Sequence, residues 1–378
     1  MGSSPSDRSE SQRLAAIDIV RGVAMVLMTL DHSSAAFNGK RTLADGAATF
    51  RPDTILEPAQ FITRWITHLC APTFVLLAGL SLALSVARRQ RAGVHGSQID
   101  RDILIRGALL IVLDVVWMGW IWRLGMPVVQ LGVLYAIGVS MIGMIALRRL
   151  PPMVVGALGL VIFAGGELVF ARLDPTAALA AATMTGGRVG SIYWLYPFLP
   201  WAGFLLLGWA IGMRIAEGGA EPRGLGMRAR DWLALAGVAA LVFAIVRGLN
   251  GYGNAELYRR DGAHAGWIEW LHVSKYPPSL AYAALELAIA FALLGSVWHV
   301  ARPRFLAPLA VLGQTALFFY LLHVHILKGV AVALGVYQAE GLGVVYLGWA
   351  ALLVLLYPAC RWYLRVKREN PDSVLRFV

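Results

Sequence analysis

Asp18, Arg21, Asp31 and His32 crowd into the first apolar stretch of the chain. Arg21 and His32 are eleven residues apart in sequence. At about 100° per residue a helix points their side chains within roughly 20° of each other, about 16 Å apart along its axis. Asp18, three residues before Arg21, can pair with it on the same stripe. One face, with Met25 and Met28 between, then offers an ion pair at one end and a histidine at the other. A guanidinium suits anion capture, and an imidazole, which titrates near neutral pH, suits proton transfer. The competing reading is a structural ion pair that only positions helices, with His32 closing a helix end.

Further histidines lie where other apolar stretches begin or end, His68 and the pair His323 and His325, and His272 lies in the long connection between two such stretches. Several imidazoles at one mouth favour general-base chemistry on a hydroxyl or amine. His32, His68 and His323 are also the residues a zinc site would use. His323 and His325 are two apart and cannot face one ion from one helix. No ligand spacing is recognisable, so no metal is expected. The stretch 264–278 gathers Trp267, Trp270, His272, Lys275, Tyr276 and Pro277-Pro278. These side chains suit sugars or anions, with an interfacial aromatic belt as the alternative for the two tryptophans. The prolines stiffen the backbone that carries Lys275 and Tyr276.

The elements that must position these groups are membrane helices. Only 15% of the 378 residues are charged and 58% are hydrophobic, whereas a soluble domain carries roughly 25% charged residues. Apolar stretches at 14–36, 59–87, 103–122, 127–147, 152–171, 193–213, 231–249, 278–300, 306–327 and 342–364 predict an all-α polytopic membrane protein with about ten transmembrane helices, because spanning the hydrocarbon takes about 20 helical residues. Arginines cluster in alternate connections, as in Arg88, Arg89, Arg91, Arg101 and Arg106, and again in Arg361, Arg365, Lys367 and Arg368. The positive-inside rule therefore puts both termini in the cytoplasm and His32, His68, His272 and His323 on the far side. The net charge of +11 is the basic load of helix ends, and no nucleic acid is expected. The first stretch, with Asp18 and Arg21, is a poor signal-peptide core and reads as an uncleaved helix. Residues 1–12 read as a polar cytoplasmic N-terminus, 13–366 as one transmembrane domain and 367–378 as a cytoplasmic tail. Cys70 and Cys360 fall near opposite faces and are not expected to pair.

Arg21-Gly22 with Asp31-His32, then Thr67-His68-Leu69-Cys70-Ala71-Pro72-Thr73-Phe74-Val75 and Ala78-Gly79, resemble the bacterial relatives of heparan-alpha-glucosaminide N-acetyltransferase. So do Phe198-Leu199-Pro200-Trp201-Ala202-Gly203, Ser274-Lys275-Tyr276-Pro277-Pro278-Ser279-Leu280, Ala316-Leu317-Phe318-Phe319-Tyr320-Leu321-Leu322-His323 and Tyr357-Pro358-Ala359-Cys360-Arg361-Trp362-Tyr363. They occur in order along nearly the whole chain. The spacing of Arg21 and His32 also looks like the first-helix motif of the acyltransferase-3 group. The resemblance implies a transmembrane acyltransferase of the bacterial inner membrane that modifies glycans. Acetyl-CoA, or another acyl-CoA, would enter from the cytosol through a helical bundle, and an extracytoplasmic amine or hydroxyl, on a sugar or small molecule, would be acylated. A homodimer is compatible with it.

The family's catalytic histidine lies in the loop between the first two helices, and the loop 37–58 here has none. The location of the chemistry carries over, and not one residue identity. His32 is the first choice as base and His68 the second, with Asp31, which points about 100° away from His32 on a helix, orienting His68 instead, and His323 supporting the oxyanion or the site's outer shell. Asp18, Arg21, Arg106, Lys275 and Tyr276 are the candidates for holding the donor, and Trp267, Trp270 and His272 for the acceptor. A transporter or flippase for a small anionic or sugar-like substrate, using the same charged stripe, is the alternative, and a non-catalytic scaffold a third reading.

Overall fold

The computed structural model describes residues 5–41, 44–46, 49–51, 54–123, 128–218, 227–259, 262, 264–298, 304–370 and 373. Parts of the expected N-terminus 1–12 and tail 367–378 lie outside them. The helices are α1 (Pro5–Phe37), α2 (Pro58–Trp65), α3 (Cys70–Arg91), α4 (Gly96–Val112), α5 (Gly119–Trp122), α6 (Val133–Leu147), α7 (Pro152–Phe170) and α8 (Ala178–Ala180). They continue with α9 (Phe198–Gly218), α10 (Ala229–Leu249), α11 (Gly266–Leu271), α12 (Leu280–Val297), α13 (Ala307–Gln314), α14 (Ala316–Ala333) and α15 (Leu342–Glu369). A 3₁₀ turn, Ile66–Leu69, joins α2 to α3, and a π turn, Leu113–Met118, joins α4 to α5.

Among the described residues eight helices are long and apolar enough to cross a membrane. With almost no strand, the chain is an all-α polytopic membrane protein. Three expected spans differ in detail, the first being 14–36, whose helix α1 is not among those eight. The 127–147 stretch yields only the shorter helix α6, because its first residues pair as strand. The 306–327 stretch is two helices, broken at Thr315, whose φ of −112° and ψ of 22° leave the helical region. Its hydroxyl bonds back to the Val311 carbonyl at 2.9 Å, a local bond that competes with helix continuation.

The chain divides into two compact units. The first comprises residues 1–43, 53–73 and 289–378. Within it α1 packs on α13, α14 and α15. At the α1–α13 crossing the backbones touch. A Cβ on Gly22 would overlap the Leu309 carbonyl, and one on Gly313 would overlap the Asp18 carbonyl. Lipid tails are as apolar as leucine, so membrane helices associate through such close packing rather than by the hydrophobic effect. Farther along, Trp349 Nε1 donates to the Val26 carbonyl at 2.9 Å and Ser33 Oγ to the Val345 carbonyl at 2.7 Å, tying α1 to α15.

The second unit comprises 44–52 and 74–288. Its α3 and α9 cross at Gly79 and Gly208, each backed against the partner's backbone, while α7 packs on α9 and α4 on α6. A small sheet, with β1 (Val129–Leu131) parallel to β3 (Ile192–Trp194) and β2 (Gly187–Val189) antiparallel to it, closes on Leu131, Ala181 and Trp194. Buried Arg247 holds the following loop by donating to Asn254 Oδ1 and to the carbonyls of Leu257, Trp270 and Glu269.

Candidate active site

The first unit builds its polar stripe on α1. Arg21 donates to Asp18 Oδ1 at 3.0 Å and to the Gly313 carbonyl at 3.3 Å. Gln314 Nε2 reaches the other Asp18 oxygen at 3.0 Å, and Arg368 donates to Gln314 Oε1 at 3.2 Å. The glycine crossing makes this network: only a backbone without a Cβ lets α13 present its last residues to Asp18.

Farther along α1, Asp31 is buried among cations. Its carboxylate accepts from Arg41 at 3.0 Å, from Arg64 in a short contact, and from Thr67 Oγ1 at 3.3 Å. Arg41 also donates to the Asp31 carbonyl at 2.8 Å. Burying these charges is tolerable because each meets an opposite charge and hydrogen bonds.

His32 meets His323 of α14, with His32 Nδ1 2.5 Å from His323 Nε2 and the rings stacked at 26°. The hydrogen-bond network assigns the tautomers. His323 Nδ1 lies 2.7 Å from the Tyr320 carbonyl and 3.1 Å from that of Phe319. Carbonyls only accept, so Nδ1 carries the proton and the neutral ring has its lone pair on Nε2. His32 Nδ1 must then donate to it, which puts the His32 lone pair on Nε2. That nitrogen lies 3.9 Å from Asp31 Oδ2. A carboxylate at that distance would stabilise an imidazolium were Nε2 to take a proton.

His68 is buried, 3% exposed, in the 3₁₀ turn that packs on α1. Of the sequence candidates, the first unit therefore holds Asp18, Arg21, Asp31, His32, His68 and His323. It adds Arg41, Arg64, Thr67 and Gln314, which the sequence reading had not singled out.

The second unit holds the remaining candidates. Lys275 is 2% exposed. Its backbone N–H donates to the Asp45 carbonyl at 2.7 Å and its ammonium sits 5.3 Å from the Tyr276 ring centre. His272 Nε2 bonds the Ala44 carbonyl at 2.7 Å while Phe50 packs edge-on to its ring. Tyr276 and Tyr196 share a hydroxyl contact at 3.3 Å. Arg123 stacks over Tyr193 at 4.2 Å. Burial raises the Tyr193 hydroxyl above its ordinary pKa, with Arg123 opposing, so it remains a hydrogen-bond donor at neutral pH. The Trp270 carbonyl accepts from Arg247 and its ring lies under Arg259 at 4.8 Å, a structural setting. Trp267 and Arg106 are exposed, on α11 and α4.

No curated protein matches the chain. A family model described as heparan-alpha-glucosaminide N-acetyltransferase, catalytic, matches residues 13–247, which include Asp18, Arg21, Asp31, His32, Arg41, Arg64 and His68. That match spans well over half of the 378 residues, and the chain belongs to the family of heparan-alpha-glucosaminide N-acetyltransferase catalytic domains.

Proposed function

We propose that this membrane acetyltransferase moves an acetyl group from cytosolic acetyl-CoA to an amine or hydroxyl of an extracytoplasmic sugar acceptor, with His32 as the base. The observation that carries the reading is the His32–His323 pair, which leaves the His32 lone pair on Nε2 beside Asp31. In the reaction His32 Nε2 takes the proton from the acceptor as its oxygen or nitrogen attacks the thioester carbonyl. The carbon–sulfur bond breaks, and the imidazolium returns the proton to the departing thiolate of CoA. Asp31, engaged by Arg41, Arg64 and Thr67, suits positioning and charge stabilisation rather than proton abstraction. Arg21, about 16 Å along the helix from His32, would hold a phosphate of the donor while the pantetheine arm reaches the histidine. In the proposed setting, a bacterial inner membrane, the arginine distribution supports both termini lying in the cytoplasm, which gives the donor its side.

Isothermal titration of CoA and acetyl-CoA into detergent-solubilised protein, wild type beside Arg21→Ala, tests the donor. Saturable binding that weakens in the variant is expected. No binding of either ligand by folded protein would sink the acetyl-CoA reading. Acetyl transfer to glucosamine, followed by mass spectrometry, tests the acceptor class.

A further inference from the structure

On the first unit, a cavity of about 430 Å³ opens between the C-terminal end of α15, α13 and Ile19 of α1. Its lining is sorted by chemistry. Arg361, Arg365 and Arg368 line one side, spaced four and three residues apart and so stacked on one helix face. Leu306, Val311 and Leu364 make the apolar part. Glu369 is the one carboxylate in the lining. All three arginines are exposed, and among the described residues Arg361 and Arg365 form no ion pair. The groove therefore joins a strong positive field to an aliphatic surface at the basic end of a membrane-crossing helix, on the side that the arginine distribution assigns to the cytoplasm.

We infer that this groove binds the phosphate headgroup of an anionic phospholipid, with an acyl chain lying on the aliphatic floor. Guanidiniums recognise phosphate oxygens through paired, charge-assisted hydrogen bonds, and basic residues at the leaflet boundary draw anionic lipids. A nucleotide would find no aromatic ring in this lining on which to stack its base, so the apolar part fits a hydrocarbon chain better than the adenine of CoA. The site is distinct from the His32 centre but wired toward the stripe. Arg368 lines the groove and donates to Gln314, which donates to Asp18.

The test titrates the full chain in detergent with dioctanoyl phosphatidylglycerol, with dioctanoyl phosphatidylcholine, with glycerol phosphate and with CoA, read by native mass spectrometry and calorimetry. Saturable binding of the phosphatidylglycerol is expected, weakened on the order of a hundredfold in Arg361→Gln/Arg365→Gln/Arg368→Gln. The zwitterionic lipid and the tailless phosphate should each bind at least about tenfold more weakly, and saturating CoA should leave lipid binding unchanged. Leu364→Trp, which fills the floor and keeps every charge, should weaken the lipid but not glycerol phosphate. That second variant keeps the test open if the triple variant misfolds. Equal binding of the two lipids, an unaltered affinity in both variants, or displacement by CoA would each overturn the assignment.

Discussion

His323 holds His32 in a single tautomer: the proton on His323 Nδ1 is committed to the Tyr320 carbonyl at 2.7 Å, and its Nε2 accepts from His32 at 2.5 Å. On the proposed mechanism a histidine held in this way orients His32 and is not the base, so the two residues are distinguishable by substitution. His32→Ala should lower acetyl transfer by about 10²–10⁴-fold, the usual worth of a positioned base, with CoA affinity nearly intact by calorimetry. His323→Ala should cost less, because Nε2 of His32 survives while its orientation loosens. Equal loss of transfer and of CoA affinity in His32→Ala would assign the residue to binding instead.

Asp31 offers a test by charge. Asp31→Asn keeps the shape but leaves Arg41 and Arg64 without their carboxylate in a setting where each side chain is only 12–14% exposed. Removing one partner from a buried charge cluster costs about 3–5 kcal/mol, so thermal unfolding in detergent should fall by several degrees. Arg64→Leu leaves Arg41 to balance Asp31 and should destabilise less. A larger loss in Arg64→Leu than in Asp31→Asn would contradict this ordering.

The α1–α13 crossing predicts opposite signs for one substitution at different glycines. Gly22→Ala or Gly313→Ala drives a methyl into backbone and should destabilise by about 1–3 kcal/mol, loosening the Asp18–Gln314 contact with it. Gly329→Ala, on α14 with open space at its Cβ, should stabilise by roughly 0.5–1 kcal/mol, since alanine is the better helix former. Equilibrium unfolding of the three variants in one detergent decides, and a neutral Gly22→Ala would mean that the helices part without cost.

Lys275 and Glu286 are both almost fully buried, and each lies within the other's field. Lys275→Met strands the glutamate. The double variant Lys275→Met/Glu286→Gln should therefore recover part of the lost stability, with a coupling of about 0.5–3 kcal/mol in a double-mutant cycle. Additive losses would show that the two side chains do not interact.

Much of this was legible because periodicity and hydropathy report on single helices. The stripe of Asp18, Arg21 and His32 on α1 follows from spacing alone, and the Asp18–Arg21 pair lies where an i, i+3 rule puts it. Partners from distant segments were a different matter. His323 is 291 residues from His32 and Gln314 is 296 from Asp18, and no local pattern encodes such a meeting. Arg64 did carry a signal: an arginine inside an apolar run, Pro58–Arg91, demands an anion. Asp31 supplies it. The break at Thr315 was hidden because both flanking helices are apolar, so hydropathy runs through it.

The first unit is discontinuous in sequence, and that sets an order of assembly during synthesis. When α1 leaves the ribosome, Asp31 gains Arg41 and Arg64 within the next few dozen residues. Asp18 and His32 must wait for α13 and α14, nearly three hundred residues later. At translation rates of about 5–20 residues per second, the nascent first helix spends on the order of fifteen seconds to a minute with the Arg21 ion pair standing in for the finished network. A chain released early would carry a complete basic anchor for Asp31 and a His32 still without the His323 ring.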